Sequence, residues 1–169
     1  MNIKQFGILK KGVKHWNKWW NSLPRKGVVV WDIGQEAPKH ETVDLSYADL
    51  SNMDLSGYIF ENAELEGTKF KNTNLMNADL SCSNCKEADF SKAIMRNTLL
   101  DFAILNRAMF KGADLRGNKG LIIIGENETI DLKGAILEGS EFRIIHEELK
   151  NNIFRAKSIK DYKSGVIIK

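Results

Sequence analysis

Hydrophobic residues recur every five positions through the middle of the chain. From Glu41 to Leu115 the sequence divides into fifteen pentapeptide units, and the fifth residue of a unit is Leu nine times, Phe four times, Met once and Cys once. The third residue is Ala, Thr or Ser in twelve of the fifteen units. This period matches neither the alternation of a flat strand nor the period of an α-helix. It predicts a repeat architecture in which each unit forms one side of a coil.

The spacing of the phenylalanines predicts how many sides the coil has. If the third and fifth residues of each unit both point inward, the other three residues must turn a corner. Large fifth residues recur at intervals of twenty, which favours a four-sided coil with one buried column formed by Leu50, Phe70, Phe90 and Phe110. Met53 and Tyr58 replace the small third residue. We therefore expect the first coil to be distorted or widened where it meets the N-terminal segment.

Four of the units carry a more specific signature. They read YADL at 47–50, NADL at 77–80, EADF at 87–90 and GADL at 112–115. These strings resemble the A(D/N)LXX units of the pentapeptide repeat family. The resemblance implies an all-β solenoid, specifically a right-handed quadrilateral β-helix, which we expect to have about five coils. We place this β-helix at residues 41–115.

Residues 1–40 are predicted to cover the first coil. An apolar stripe at helical spacing predicts one helix that Pro24 ends, and it consists of Leu9, Val13, Trp16, Trp20 and Leu23. Trp16 and Trp20 are the residues expected to cover the open end, which a solenoid must protect from edge-to-edge growth. The string from Leu9 to Trp20 is also similar to the W-N-x-W lead-in of many pentapeptide repeat proteins. VVVWDI at 28–33 is predicted to be a short strand.

Beyond Leu115 the pattern pauses and then resumes. Leu137 follows Leu115 by one coil plus two residues, so 116–142 is predicted to be an irregular coil or a protruding hairpin with resumed repeats. GLIIIG and ETIDL are the strands expected there. Residues 143–169 are predicted to form a C-terminal capping helix, with Ile145, Leu149 and Ile153 on one face, and a tail whose VIIK docks as a strand or frays. All four segments are expected to pack as one compact unit.

Charge and candidate chemistry point away from catalysis. The net charge is +3, divided as +6 over 1–40, −4 over 41–116 and +1 over 117–169. Cys82 and Cys85 should point to opposite sides of the repeat wall, and the three histidines (His15, His40 and His146) stand near no recognisable nucleophile. We therefore predict no enzyme, no cofactor and no metal site. Because no secretory or membrane-spanning segment is evident, we expect a cytoplasmic protein without membrane or direct nucleic-acid partners.

The outward-facing residues change character late in the repeat region. Early units present acidic residues, whereas later units present apolar ones at the same classes of position: Ile94, Leu99, Phe102, Ile104 and Met109. Contiguous apolar surface is unusual on a monomer. The sequence favours an intramolecular lid, made by the C-terminal segment or by 116–136, and leaves open a homodimer contact or a surface for a protein partner.

Two functions follow from these observations. The first is a non-catalytic scaffold or protein-interaction module whose partner, pathway and oligomeric state the sequence does not identify. The second rests on the resemblance alone, because some pentapeptide repeat proteins imitate duplex DNA and bind DNA gyrase or topoisomerase IV, protecting them from quinolones. Such a mimic should be strongly acidic along its length. The lysines and arginines between residues 69 and 111 therefore favour the first function.

Overall fold

The repeat region forms a four-sided coil with one turn every twenty residues. The computed structural model describes residues 2–23, 43–125, 129–147, 155–158 and 167–168. The fourth residue of each unit makes a parallel β-bridge to its counterpart one coil later, which stacks the units into four columns. We call these columns sides 1 to 4. Their fourth residues are Asp44, Glu64, Asn84 and Ile104 on side 1; Asp49, Lys69, Asp89, Met109 and Asp131 on side 2; Asp54, Asn74, Ile94, Asp114 and Ile136 on side 3; and Ile59, Asp79 and Leu99 on side 4.

Each corner of the coil is a tight turn with left-handed backbone at the second residue of the unit. That residue has φ between 54 and 72° in every unit from Tyr47 to Gly117. The next N–H bonds back across the turn, as from Ala48 to the carbonyl of Leu45 at 2.9 Å. Left-handed backbone costs an L-residue roughly 1–2 kcal/mol. Asn or Gly therefore fills nine of these fifteen positions, and Tyr47 and Phe102 are the bulky exceptions.

The third and fifth residues of the units fill the interior. Phe90 stacks between Phe70, at 5.0 Å between ring centroids, and Phe110, at 4.9 Å, with interplanar angles of 1° and 13°. Leu50 lies below them in the same column, and all four side chains are buried. The observed column is the one that the twenty-residue spacing predicts. Buried threonine hydroxyls donate to carbonyls of the preceding coil at 2.8–2.9 Å: Thr68 to Leu45, Thr73 to Leu50 and Thr98 to Leu75.

The N-terminal segment forms two helices rather than the single predicted helix. Helix α1 spans Ile3–Leu9 and helix α2 spans Val13–Ser22. The break between them lies at Gly12, whose φ of +95° is outside the helical region. The stripe is therefore divided between two helices, although Trp16 and Trp20 of α2 are both buried, as the pattern predicts. The predicted strand at 28–33 lies outside the described residues.

Side chains of the two helices occupy hydrogen-bonding positions along the open edge of the first coil. The Asn17 amide donates to Gly57 O at 2.8 Å and accepts from Ile59 N at 3.1 Å, much as a neighbouring strand would. The Trp16 Nε1 donates to Ile59 O at 2.6 Å. Three further bonds join the segments: Tyr58 Oη donates to Leu9 O at 3.1 Å, Asp44 N donates to Gln5 Oε1 at 2.7 Å, and Asn2 N donates to Asp44 O at 2.7 Å.

The first coil keeps the regular backbone ladder, so the predicted distortion is wrong, while the alternative that the coil is widened stays a prediction. The N–H of Asn74 bonds to Met53 O at 3.0 Å, and that of Asp79 bonds to Tyr58 O at 2.9 Å. The large side chains are accommodated at the open end of the coil. There the ring of Tyr58 lies against Phe60 with centroids 5.8 Å apart, and its hydroxyl bonds to α1.

The chain after the repeats forms strands. They are β1 (Lys119–Gly125), β2 (Ile130–Asp131), β3 (Glu141–Glu147), β4 (Arg155–Ser158) and β5 (Ile167–Ile168). Strand β1 pairs in parallel with β3, which pairs antiparallel with β4, while β2 pairs antiparallel with β5. The coil then resumes with two extra residues, as the sequence predicts. Met109 bridges Asp131 and Asp114 bridges Ile136, so both bridges join residues one coil plus two residues apart.

Of the two alternatives predicted for 116–142, the irregular coil is observed and the protruding hairpin is wrong. GLIIIG and part of ETIDL are strands, but they do not pair with each other, because β1 pairs with the strand one coil later. The predicted helix over 143–169 is strand at 143–147 and 155–158. Ile145 continues the coil-to-coil pairing, because it pairs with Ile123. This long-range pairing decides its structure although its spacing to Leu149 and Ile153 is helical. Leu149 and Ile153 lie outside the described residues. The tail docks as a strand through β5.

Candidate partner surface

An Asp or Asn at the fourth position of a unit stabilises the corner that follows it. In every described unit with such a residue, its Oδ1 accepts a hydrogen bond from the N–H two residues on, at 2.9–3.3 Å. The acceptors are Asp44, Asp49, Asp54, Asn74, Asp79, Asn84, Asp89, Asp114 and Asp131. This is an Asx turn. The polar residue therefore has a structural role, and a unit that lacks it gives up a bond.

One complete turn of the coil lacks these bonds. Four consecutive units place Ile94, Leu99, Ile104 and Met109 at the fourth position, one on each of the four sides. Phe102 occupies the left-handed corner between sides 4 and 1, with φ of 58°. A bulky aromatic residue is uncommon in this conformation. This turn therefore departs from the sequence preferences of the coil at five positions.

The structure does not bring the five predicted residues together on one flat face. Leu99, Phe102 and Ile104 follow one another around the corner between sides 4 and 1, whereas Ile94 lies on side 3 and Met109 on side 2. The exposed fractions are 44% for Ile94, 47% for Leu99, 51% for Phe102 and 39% for Met109, while Ile104 is half-buried. The described segments therefore do not form the lid that the sequence favours.

A further exposed apolar residue extends the surface on side 3. Ile136 is 46% exposed and lies two bridges from Ile94, with Asp114 between them. The sequence analysis missed Ile136 although its unit, GAIL, places it at the fourth position of the resumed repeats. Asp114 accepts from Arg116 at 2.8 Å and from Arg96 at 2.6 Å, and these bonds hold the pKa of its carboxyl well below the usual range.

The two apolar areas have rims of opposite charge. We define the acidic corner as Leu99 and Phe102 with the carboxylates of Glu61, Asp79 and Asp101. We define the basic side as Ile94 and Ile136 with the ammonium groups of Lys92, Lys111 and Lys133. The three lysines are exposed and belong to the corner between sides 2 and 3, on three successive coils. Charge is therefore distributed unevenly around the coil.

The two cysteines do not share a site. Cys85 is fully buried in the interior, and burial raises the pKa of its thiol to about 12. Cys82 is a half-buried corner residue whose thiol pKa is raised first by burial and then by Glu61, Asp79 and Asp101. Their opposite orientations agree with the sequence analysis. High thiol pKa values disfavour nucleophilic chemistry at both residues.

Other chemistry has little support in the described segments. His15 is an exposed residue of α2, His146 belongs to β3, and His40 lies outside the described residues. Within the described ranges, no group of three or more His, Cys, Asp or Glu could hold a metal ion. The described helices are too short and too polar to cross a membrane.

Comparisons with known proteins agree with the repeat architecture. The family model for pentapeptide repeats matches residues 44–81 and 83–117, in eight copies. No curated protein is significantly similar to the chain.

Three solved structures illustrate the similarity. A pentapeptide repeat protein from the Arabidopsis thaliana thylakoid lumen is 24% identical over 57% of this chain and 59% of its own, with a TM-score of 0.45. Rfr23, from the cyanobacterium Cyanothece 51142, is 29% identical over 53% and 59%, with a TM-score of 0.49. QnrB1, a plasmid-mediated fluoroquinolone resistance protein, is 18% identical over 56% and 56%, with a TM-score of 0.27. The match thus spans less than two thirds of each of these relatives.

Proposed function

Because residues 44–81 and 83–117 belong to the pentapeptide repeat family, we propose that this chain is a non-catalytic protein-interaction module. In this proposal it is a rigid rod of about five coils that binds a protein partner through the apolar residues of its last regular turn. A solenoid of this kind displays side chains at fixed spacing along flat sides, which suits recognition of a protein surface.

The observation that carries the proposal is the turn without Asx bonds, from Ile94 to Met109. The absence of each hydrogen bond costs roughly 0.5–1.5 kcal/mol. The residues that replace Asp or Asn are apolar, and three of the four remain 39–47% exposed. Folding alone gives no reason for such a choice. Residues that break a local rule without a structural gain mark functional positions, and exposed apolar clusters mark contact surfaces.

We also propose that α1 and α2 act as the N-terminal cap of the rod. Asn17 and Trp16 satisfy backbone groups of Gly57 and Ile59 that would otherwise form an open β-edge. Such an edge recruits other chains. With the cap in place, partner binding is directed to the sides of the rod rather than to this end.

The alternative function, imitation of DNA toward DNA gyrase or topoisomerase IV, has weaker support. Residues 43–118 contain eleven acidic and eight basic residues. Sides 4 and 1, the corner between them and the corner after side 1 together carry seven of the acidic residues and two of the basic ones. The other six basic residues lie on the remaining surface. A duplex carries negative charge along its entire length. Basic residues on half of the rod are unfavourable for such imitation.

The test is affinity capture from the native host with three forms of the protein. They are the wild type, a Leu99→Ser/Phe102→Ser variant, and a control with Ile3→Ser/Tyr47→Ser, whose residues are more exposed than Leu99 and Phe102 and lie elsewhere. We expect one partner to be retained by the wild type and the control and lost by the first variant. Equal capture by all three forms would contradict the proposed surface. A gyrase supercoiling assay with the purified protein tests the alternative function independently of the capture experiment.

A further inference from the structure

The acidic corner and the basic side are complementary to each other. Both have two largely exposed apolar side chains at their centre, Leu99 with Phe102 and Ile94 with Ile136. One has a rim of carboxylates and the other a rim of ammonium groups. Because the two surfaces lie on different sides of the same rod, one chain cannot bring them into contact with each other.

The carboxylates of the acidic corner surround its apolar centre closely. Phe102 lies one coil above Cys82, because the Cys82 N–H donates to Asp101 O at 2.8 Å. Asp79 bridges Leu99, and Glu61 and Asp101 are the first residues of units that begin at this corner, so the three carboxylates lie around it. Their charges also raise the pKa of the Cys82 thiol. The apolar centre of the acidic corner is therefore bordered by negative charge.

The basic side has a regular arrangement. Ile94, Asp114 and Ile136 occupy successive bridges on side 3, so the two isoleucines are about 10 Å apart at the usual strand spacing. Lys92, Lys111 and Lys133 lie along one edge of that side. Arg96 and Arg116 lie along the other edge and bond to Asp114 at 2.6 and 2.8 Å. Glu138 also lies near Arg116, so the positive charge of the basic side comes from its three lysines.

We propose that the acidic corner of one copy of this chain binds the basic side of a second copy. The contact is heterologous, since it joins two different surfaces, and a bound pair therefore keeps one acidic corner and one basic side free. Successive copies therefore form a ring or an open side-by-side array. This inference rests on the proposed function, because it names the occupant of the surface around Leu99 and Phe102.

The test uses two variants, each with one surface removed. Leu99→Ser/Phe102→Ser removes the acidic corner, and Ile94→Ser/Ile136→Ser removes the basic side. Circular dichroism checks that both are folded, which we expect since all four side chains are largely exposed. Sedimentation velocity from about 10 µM to about 1 mM covers the range of weak protein interfaces. The Ile3→Ser/Tyr47→Ser variant is the control.

We expect the wild type and the control to form species larger than dimers, and we expect salt to weaken them. Each single-surface variant alone should stay monomeric. An equimolar mixture of the two should form a 1:1 dimer and nothing larger, because only one productive contact remains. Lys92→Glu/Lys111→Glu, introduced into a chain that keeps all four apolar residues, should also reduce assembly.

Three results would overturn the inference: a wild type that is monomeric at about 1 mM, variants that assemble alone as the wild type does, or a mixture that stays monomeric. The proposed function can survive such a result. If host capture depends on Leu99 and Phe102 while the wild type remains monomeric, the surface binds a different protein and self-assembly is wrong.

Discussion

Replacement of Phe90 by alanine tests the stacked core most directly. The ring is fully buried, and the centroids of its two neighbours, Phe70 and Phe110, lie 5.0 and 4.9 Å away. Removing a buried Phe side chain costs about 3–5 kcal/mol. Two aromatic contacts are lost at once, each worth about 0.5–1.5 kcal/mol beyond its area. The Phe90 N–H bonds to Met109 O at 2.8 Å, so the ladder limits collapse around the cavity. We therefore expect a loss near the upper end of the range.

The assay is urea unfolding followed by circular dichroism, with a thermal melt in parallel. For a chain of this length the loss corresponds to a lower melting temperature by about 6–20 °C. Phe90→Leu, which keeps most of the volume, should cost much less. Met109→Ala, on the outer surface of the next coil, should change stability by about 0.5 kcal/mol or less. A loss below about 1 kcal/mol for Phe90→Ala would refute the stacked column.

Four other predictions address separate parts of the molecule. A methyl group at Gly67 would lie 2.5 Å from Cδ1 of Tyr47, and φ is +62°, so Gly67→Ala should cost at least about 1 kcal/mol in a thermal melt. In a Tyr47→Ala background, Gly67→Ala should cost less, because the clash with the Tyr47 ring is gone. If Gly67→Ala costs the same in that background as in the wild type, the clash is not the cause of the loss. Deleting residues 1–24 should produce aggregation in light scattering, whereas a native monomer would argue against the cap. Because bonds to arginine lower the pKa of Asp114 in the folded state, its stabilising contribution is present above the unfolded value of about 3.9 and is lost as pH falls. The free energy of unfolding, measured as the pH is lowered, should therefore fall less steeply for Asp114→Asn than for the wild type. Finally, Cys85 should react with a thiol reagent only after denaturation, since its buried thiol has a pKa of about 12, and rapid reaction in the native protein would contradict this.

The five-residue pattern predicts the coil well because each position in the unit has one physical task. The inward third and fifth residues and the corner at the second residue repeat without interruption from Leu45 to Leu115. The twenty-residue recurrence of Phe70, Phe90 and Phe110 was sufficient to predict four sides. The right-handed sense of the coil stays a prediction from the family resemblance.

Outside the repeats the sequence was less informative, because long-range pairing decides the structure there. Ile145 fits a helical stripe by spacing, yet its strand pairs with the strand at Ile123, one coil earlier. Gly12 interrupts the N-terminal helix although the apolar stripe runs through it. The outward positions of the unit identify Ile94, Leu99, Phe102, Ile104 and Met109 from the sequence and place them on neighbouring sides, but Ile136 was missed. The register from Ile94 to Met109 adds that the four fourth-position residues occupy all four sides of one turn.

The coil-to-coil ladder also bears on how the chain folds as it is made. Between residues 43 and 118 the coil-to-coil backbone bonds join each twenty-residue turn to the turns directly before and after it, so a turn can be completed as soon as its predecessor is in place. The edge presented by Asn17 and Trp16 gives the first turn a template that is synthesised before it. We expect the repeat region to fold progressively during translation, one turn after another, with little waiting for distant sequence.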